Sequence, residues 1–174
     1  MRFHVPAGLV FSAALLSLAC GPSEREMKAQ AQAQAKAARE AAALEARIEA
    51  SRKQPPIPAD LVSGPKGLKY ADLKVGTGKE IVKGGTATVA FWGWVDGTLI
   101  DSSEDRGKPH SFLVGQGSVI EGWDLGVVGM REGGVRLLVI PPNLAYGDEG
   151  RAGFVGRSKT MIYKMELLKA YDPY

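Results

Sequence analysis

The chain has 174 residues, 45% hydrophobic and 24% charged, with a formal charge of +3 at pH 7. That composition describes a globular protein of one ordinary domain with appendages, and no basic patch interleaved with aromatics points to nucleic acid. A single cysteine, Cys20, excludes an internal disulfide, and no run of about 18 apolar residues offers a spanning helix.

Residues 1–19 read as an export leader, with Arg2 as the basic start, Leu9 to Leu18 as the apolar stretch and Ala19 at the cleavage point. Leu16-Ser17-Leu18-Ala19-Cys20 resembles the lipobox of bacterial lipoproteins, which implies a lipid on Cys20 and an anchor to a bacterial membrane facing the periplasm or the cell surface. Gly21 is not the Asp associated with retention, which favours the outer over the inner membrane. Residues 20–54 then form the lipidated cysteine and an Ala-rich helix, opened by a capping box from Ser23 to Glu26. Only Met27, Leu44 and Ile48 are large and apolar there, so no heptad seam exists. A solvated spacer is the reading, with an Ala-faced dimer helix as the alternative. Pro55, Pro56 and Pro58 end it, and residues 55–66 are a linker.

The folded part is expected over residues 67–171. Strands are predicted at Gly67–Val75, Thr86–Val95, Thr98–Asp101, His110–Val114, Val135–Ile140 and Lys159–Lys169. Asp96-Gly97 marks a tight hairpin between the second and third. Ser102–Pro109 is a polar loop, Ile120–Met130 a short helix, and Tyr146–Ser158 a long Gly-containing loop. The fold class is α+β: an antiparallel sheet with one short helix on a face, preceded by the long Ala-rich helix. Between strand and helix, Gly115-Gln116-Gly117-Ser118-Val119-Ile120-Glu121-Gly122-Trp123 concentrates small and bulky residues. Its composition leaves two readings open: Trp123 as a pocket floor walled by Val119 and Ile120, or as a core residue at a loop-to-helix junction.

Most catalytic chemistries find no support. His110 is the one histidine beyond the leader, which leaves no two-His metal site, and no cysteine of the domain could help bind zinc. Ser102 and Ser103 lack a Gly-x-Ser-x-Gly elbow, no run fits a phosphate-binding loop, and Ile120 occupies the third glycine position of a dinucleotide fingerprint. Asp101 to Asp105 lacks the glycine and distal glutamate of a calcium loop and reads as a solvated acidic loop. What remains is an apolar pocket with few polar groups. Such a pocket suits the rotation of an Xaa–Pro amide, whose barrier of about 18–20 kcal/mol comes from resonance. A water-poor site favours the less polar twisted state, with no metal and no cofactor.

The domain resembles the FKBP-type peptidyl-prolyl cis-trans isomerases over about residues 67–170. The resemblance rests on Asp96-Gly97, Ile100-Asp101-Ser102-Ser103, Gly107-Lys108-Pro109, Gly115-Gln116-Gly117-x-Val119-Ile120-x-Gly122-Trp123, Gly126, Gly129-Met130 and Gly133-Gly134. It continues through Ile140-Pro141-Pro142, Leu144-Ala145-Tyr146-Gly147 and Glu166-Leu167-Leu168. It implies a sheet wrapped around one helix, and a pocket made of Phe91, Ile100, Asp101, His110, Val119, Ile120, Trp123, Tyr146, Phe154 and Tyr163. Trp123 would be the floor. The Tyr146 hydroxyl and the Ile120 N–H would bind substrate carbonyls, and Asp101 would polarise one wall.

The expected substrates are proline-containing unfolded or extended segments of exported proteins. The alternative is a non-catalytic or weakly active periplasmic chaperone or binding module on the same fold. Five departures bear on activity: Phe91 stands for Tyr and so removes a hydroxyl partner of Asp101, Ile100 and His110 stand for Phe, Tyr163 stands for Phe, and Phe154-Val155-Gly156-Arg157 replaces an Ile-Pro-Pro element. Strand alternation also places Trp92 and Trp94, with Val135, Leu137 and Val139, on the outer face, where a hydrophobic patch is expected to meet a partner, the Ala-rich tether helix or a second copy, the alternative being a face covered by long side chains.

Overall fold

The computed structural model describes residues 23–173. The leader, Cys20 and its lipid site lie outside the described residues. The chain divides into two units, 1–46 and 47–174. Helix α1, Glu24–Arg52, is a run of strong helix formers whose side chains are exposed through residue 46. Its start is the predicted capping box. The Glu26 N–H donates to the Ser23 hydroxyl at 3.3 Å, and the Ser23 N–H donates to the Glu26 carboxylate at 2.7 Å. Among the described residues no helix is long and apolar enough to cross a membrane.

The second unit is built on a seven-stranded antiparallel sheet. Its strands are β1 (Val62–Ser63), β2 (Lys69–Lys74), β3 (Thr86–Val95), β4 (Thr98–Ser102), β5 (His110–Leu113), β6 (Val135–Ile140) and β7 (Met161–Tyr171). The order is β1-β2-β6-β7-β3-β4, with β5 also paired to β3. β3 is the organising strand. One edge pairs with β7; the other pairs with β5 over Thr86–Val89 and with β4 over Trp92–Val95. The residues between β4 and β5 must therefore cross the middle of that edge, and this is where one wall of the site arises. The β3–β4 hairpin turns at Asp96 (φ 49°) and Gly97 (φ 80°), the left-handed pair that a two-residue hairpin requires.

Helix α2, Glu121–Gly126, packs on β6. Its approach depends on Gly122 and Gly126, since a Cβ at either would overlap Ile140 or Leu138. The predicted helix over 120–130 is thus longer than the one that forms. Val127 closes the last helical bond, Gly129 adopts φ 79°, and Val128 is left 41% exposed. The short β1, which falls inside the stretch read as linker, joins the sheet by pairing Val62 with Tyr70.

The two faces of the sheet divide as alternation predicts. Val89, Phe91, Leu138, Ile140 and Trp123 belong to the main core, and Trp92, Trp94, Leu137 and Ile162 form a second cluster on the other face. The apolar face expected to take a partner or a second copy is closed within the unit: Trp92 is 8% exposed, and Trp94 and Leu137 are 0% exposed. Val139 packs against the same cluster, and Val135 is half-buried. The Trp94 indole N–H donates to the Arg52 carbonyl at 2.8 Å, so the last residue of α1 closes on it. Trp92 donates to Glu104 at 3.2 Å, and the Lys164 ammonium stands 4.6 Å over its ring.

Candidate active site

The Gly115–Trp123 stretch is shaped by one side chain. Asp124, buried on α2, accepts hydrogen bonds from the Gly115 and Gly117 N–H groups at 2.8 and 2.9 Å. Both glycines are left-handed, with φ of 78° and 71°, which residues with a Cβ rarely adopt. The chain then runs through Val119 and Ile120 into α2. The Ile120 carbonyl accepts the Trp123 and Asp124 N–H groups. Its own N–H donates to no backbone carbonyl among the described residues.

Trp123 meets four rings: Phe91 at 4.8 Å, Tyr163 at 5.1 Å, Phe112 at 5.7 Å and His110 at 5.9 Å between centroids. Above it opens a cavity of about 200 Å³, lined by Asp101, Arg106, His110, Ser118, Val119, Ile120, Trp123, Tyr146 and Tyr163. Seven of the ten predicted pocket residues therefore line one cavity. The other three support it. Phe91 is wholly buried beneath Trp123, Ile100 is packed against the core, and Phe154 meets the Tyr146 ring edge-on at 5.9 Å.

Arg106 was not among the predicted site residues, and it changes the reading of the wall. Its guanidinium makes a two-pronged ion pair with Asp101 and lies 5.3 Å over the Phe91 ring. The partner that Phe91 cannot offer Asp101 is thus supplied by Arg106. The loop that presents it is not merely solvated. Ser102 and Ser103 are buried; the Phe91 N–H donates to the Ser103 hydroxyl at 3.1 Å, and the Ser102 hydroxyl donates to Asp105 at 2.8 Å. Asp105 in turn pairs with Arg52 at 2.7 Å. The acidic run from 101 to 105 consists of ion-pair and turn acceptors, and an arginine one step beyond it was the available signal.

Three groups in the cavity have their ionisation displaced, the first being Arg106, whose hydrogen bonds to Asp101 raise its pKa further. Burial first, then the neighbouring Tyr146 and Asp101, push the Tyr163 hydroxyl up, so it stays protonated and able to donate. Burial lowers the pKa of His110, as do Arg106 and Lys108, while Asp101 opposes them. The folded state therefore binds fewer protons at His110 than the unfolded chain. Its contribution to stability is full above the unfolded pKa of about 6.5 and is lost as pH falls below it toward the folded value. Urea midpoints between pH 7.5 and 5 should fall for the native chain, and His110→Phe should remove that part of the slope. An identical slope in both proteins would show that the imidazole is not held neutral by the fold.

The comparisons with known proteins agree with this geometry. The sequence pattern of the FKBP-type peptidyl-prolyl cis-trans isomerases matches residues 78–168. The chain belongs to that family. An FK506-binding protein of Neisseria meningitidis serogroup B is 48% identical over 107 residues, which is 61% of this chain and 98% of that protein. Among solved structures, AtFKBP13 superposes with a TM-score of 0.59 at 36% identity, covering 64% of this chain and 98% of its own. FkpA from Escherichia coli superposes with a TM-score of 0.61 at 31% identity, covering 87% of this chain and 75% of its own. This FKBP-type chain is accordingly a peptidyl-prolyl isomerase, and its cavity above Trp123 is the candidate place for that reaction.

Proposed function

We propose that this isomerase acts on Xaa–Pro bonds of exported polypeptides, drawing the amide into the cavity above Trp123 and catalysing by desolvation and orientation. The observation that carries the reading is an apolar floor and wall, Trp123 with Val119 and Ile120, faced by polar side chains that converge on the same cavity. The proline ring rests on Trp123 against Val119. The Ile120 N–H, without a backbone acceptor of its own, and the Tyr146 hydroxyl each take a substrate carbonyl. Asp101 and Arg106 together set a fixed ion pair along one wall. Removing the amide from water lowers the cost of losing resonance in the twisted state, and binding orients both flanking carbonyls before rotation.

The same proposal places the enzyme on a membrane through a lipidated Cys20, with α1 as the spacer. Its 29 residues would reach about 45 Å. Residues 67–171 carry the isomerase function, and the packing of Arg52 and β1 gives the preceding segment a structural part in the same unit.

Exchange NMR on a Xaa–Pro peptide tests the activity, with the full chain as catalyst. Tyr146→Phe should lower kcat/KM about three- to tenfold, the equivalent of one hydrogen bond made in the transition state. No acceleration by the native chain, with peptide still bound, would replace catalysis by the binding-module reading. An unchanged rate in Tyr146→Phe would remove the hydroxyl from the site.

A further inference from the structure

The rim of the cavity holds a second arginine with a different situation from Arg106. Arg151 opens a tight turn in which its N–H donates to the Val155 carbonyl at 2.7 Å and its carbonyl accepts from Val155 at 2.9 Å. Gly153, with φ 72°, makes the reversal possible. The turn folds the Arg151 guanidinium over two aromatic rings, 5.2 Å from the Phe154 centroid and 5.7 Å from that of Tyr146. One guanidinium N–H donates to the Tyr146 hydroxyl at 3.3 Å.

Its charge is not neutralised as that of Arg106 is. Among the described residues no carboxylate forms an ion pair with Arg151. The nearby Asp148 accepts from the Ser158 hydroxyl, and its carbonyl accepts from Arg157. An exposed cation is thus stacked on aromatic faces, which restricts its freedom, and the Tyr146 hydroxyl is the one side-chain acceptor its guanidinium meets among the described residues.

We infer that Arg151 is a specificity-determining residue that receives the carboxylate of an acidic side chain flanking the substrate proline. The inference rests on the substrate path proposed above. A residue whose carbonyl reaches the Tyr146 hydroxyl carries its neighbours past a guanidinium bonded to that same oxygen. A Glu or Asp there gains a charge-assisted contact with an arginine already held in place, and an isosteric amide gains less. Arg106 does not compete, because Asp101 occupies its fork.

The test compares peptides carrying Glu-Pro against Gln-Pro, and Pro-Glu against Pro-Gln, with the full chain. Shift titration reads Kd and exchange NMR reads the isomerisation rate in the same samples. In one of the two registers the Glu peptide should bind about threefold to fivefold more tightly than its Gln partner at low salt, the range of an exposed ion pair. The ratio should approach one in about 0.5 M salt and in Arg151→Gln, and it should survive in Arg151→Lys. A ratio of one in the native chain in both registers, or a ratio unchanged by Arg151→Gln, overturns the assignment. Failure of the isomerase reading is seen separately, as Gln peptides that bind without faster exchange. Absence of binding by every peptide overturns both.

Discussion

Asp124→Ala is expected to destabilise the folded domain by about 3 kcal/mol and to remove most of the isomerase activity. Asp124 is 7% exposed, and its two carboxylate oxygens take the Gly115 and Gly117 N–H groups at 2.8 and 2.9 Å. Hydrogen bonds to a charged acceptor contribute about 1.5–3 kcal/mol each, and their loss leaves two donors in a partly buried loop. That loop leads directly into Val119 and Ile120, so its relaxation displaces the wall of the cavity and the N–H assigned to a substrate carbonyl. Asp124→Asn keeps the shape and one acceptor oxygen and should cost about half as much. Urea denaturation gives the stability and exchange NMR the activity. A loss of less than about 1 kcal/mol in Asp124→Ala would mean that the glycine conformations persist without this carboxylate.

The second large effect separates two functions of Trp123. Trp123→Ala should cost about 3–5 kcal/mol, the usual range for deleting a large aromatic from a core. The residue is 6% exposed and touches the rings of Phe91, Tyr163, Phe112 and His110, so no single neighbour can fill the space. Trp123→Phe should behave differently. The Trp123 indole N–H is buried and has no protein acceptor among the described residues, a penalty of about 1–3 kcal/mol that phenylalanine does not carry. The lost packing and the relieved penalty oppose each other, leaving a net change within about 1 kcal/mol and an active enzyme. Denaturation of both variants, beside their exchange rates, decides it. A Phe variant as impaired as the Ala variant would show that the indole N–H is engaged during binding or turnover.

Much of the fold was legible in the sequence because it is specified locally. The β3 and β6 limits follow from apolar runs bounded by turns, the Asp96-Gly97 reversal from a dipeptide suited to left-handed φ, and the α1 start from Ser23 and Glu26. The division of β3 between two cores follows from the two-residue period of a strand. The site was legible in part. Motif order marked Asp101, Ile120, Trp123 and Tyr146 together, although their separations in the chain carry no geometry by themselves.

What the tertiary structure alone decided concerns partners brought from a distance. Sequence periodicity correctly turned Trp92 and Trp94 outward, but only the packing of the chain shows Trp94 bonded to Arg52, 42 positions earlier, and the face closed. The length of α2 was set by its approach to β6 and by the left-handed Gly129, not by the apolar spacing that ran on to Met130. Arg106 reads as one more polar loop residue until the Ser103 contact with Phe91 folds the loop and turns the guanidinium onto Asp101. By itself, the sequence determined the turns and every strand but β1, because backbone preference and side-chain alternation act over a few residues, whereas Trp123 as a floor rested on the order of the family motifs. Which groups neutralise, cover or restrain one another depends on contacts between distant segments, whose energies exist only once the sheet has brought those segments together.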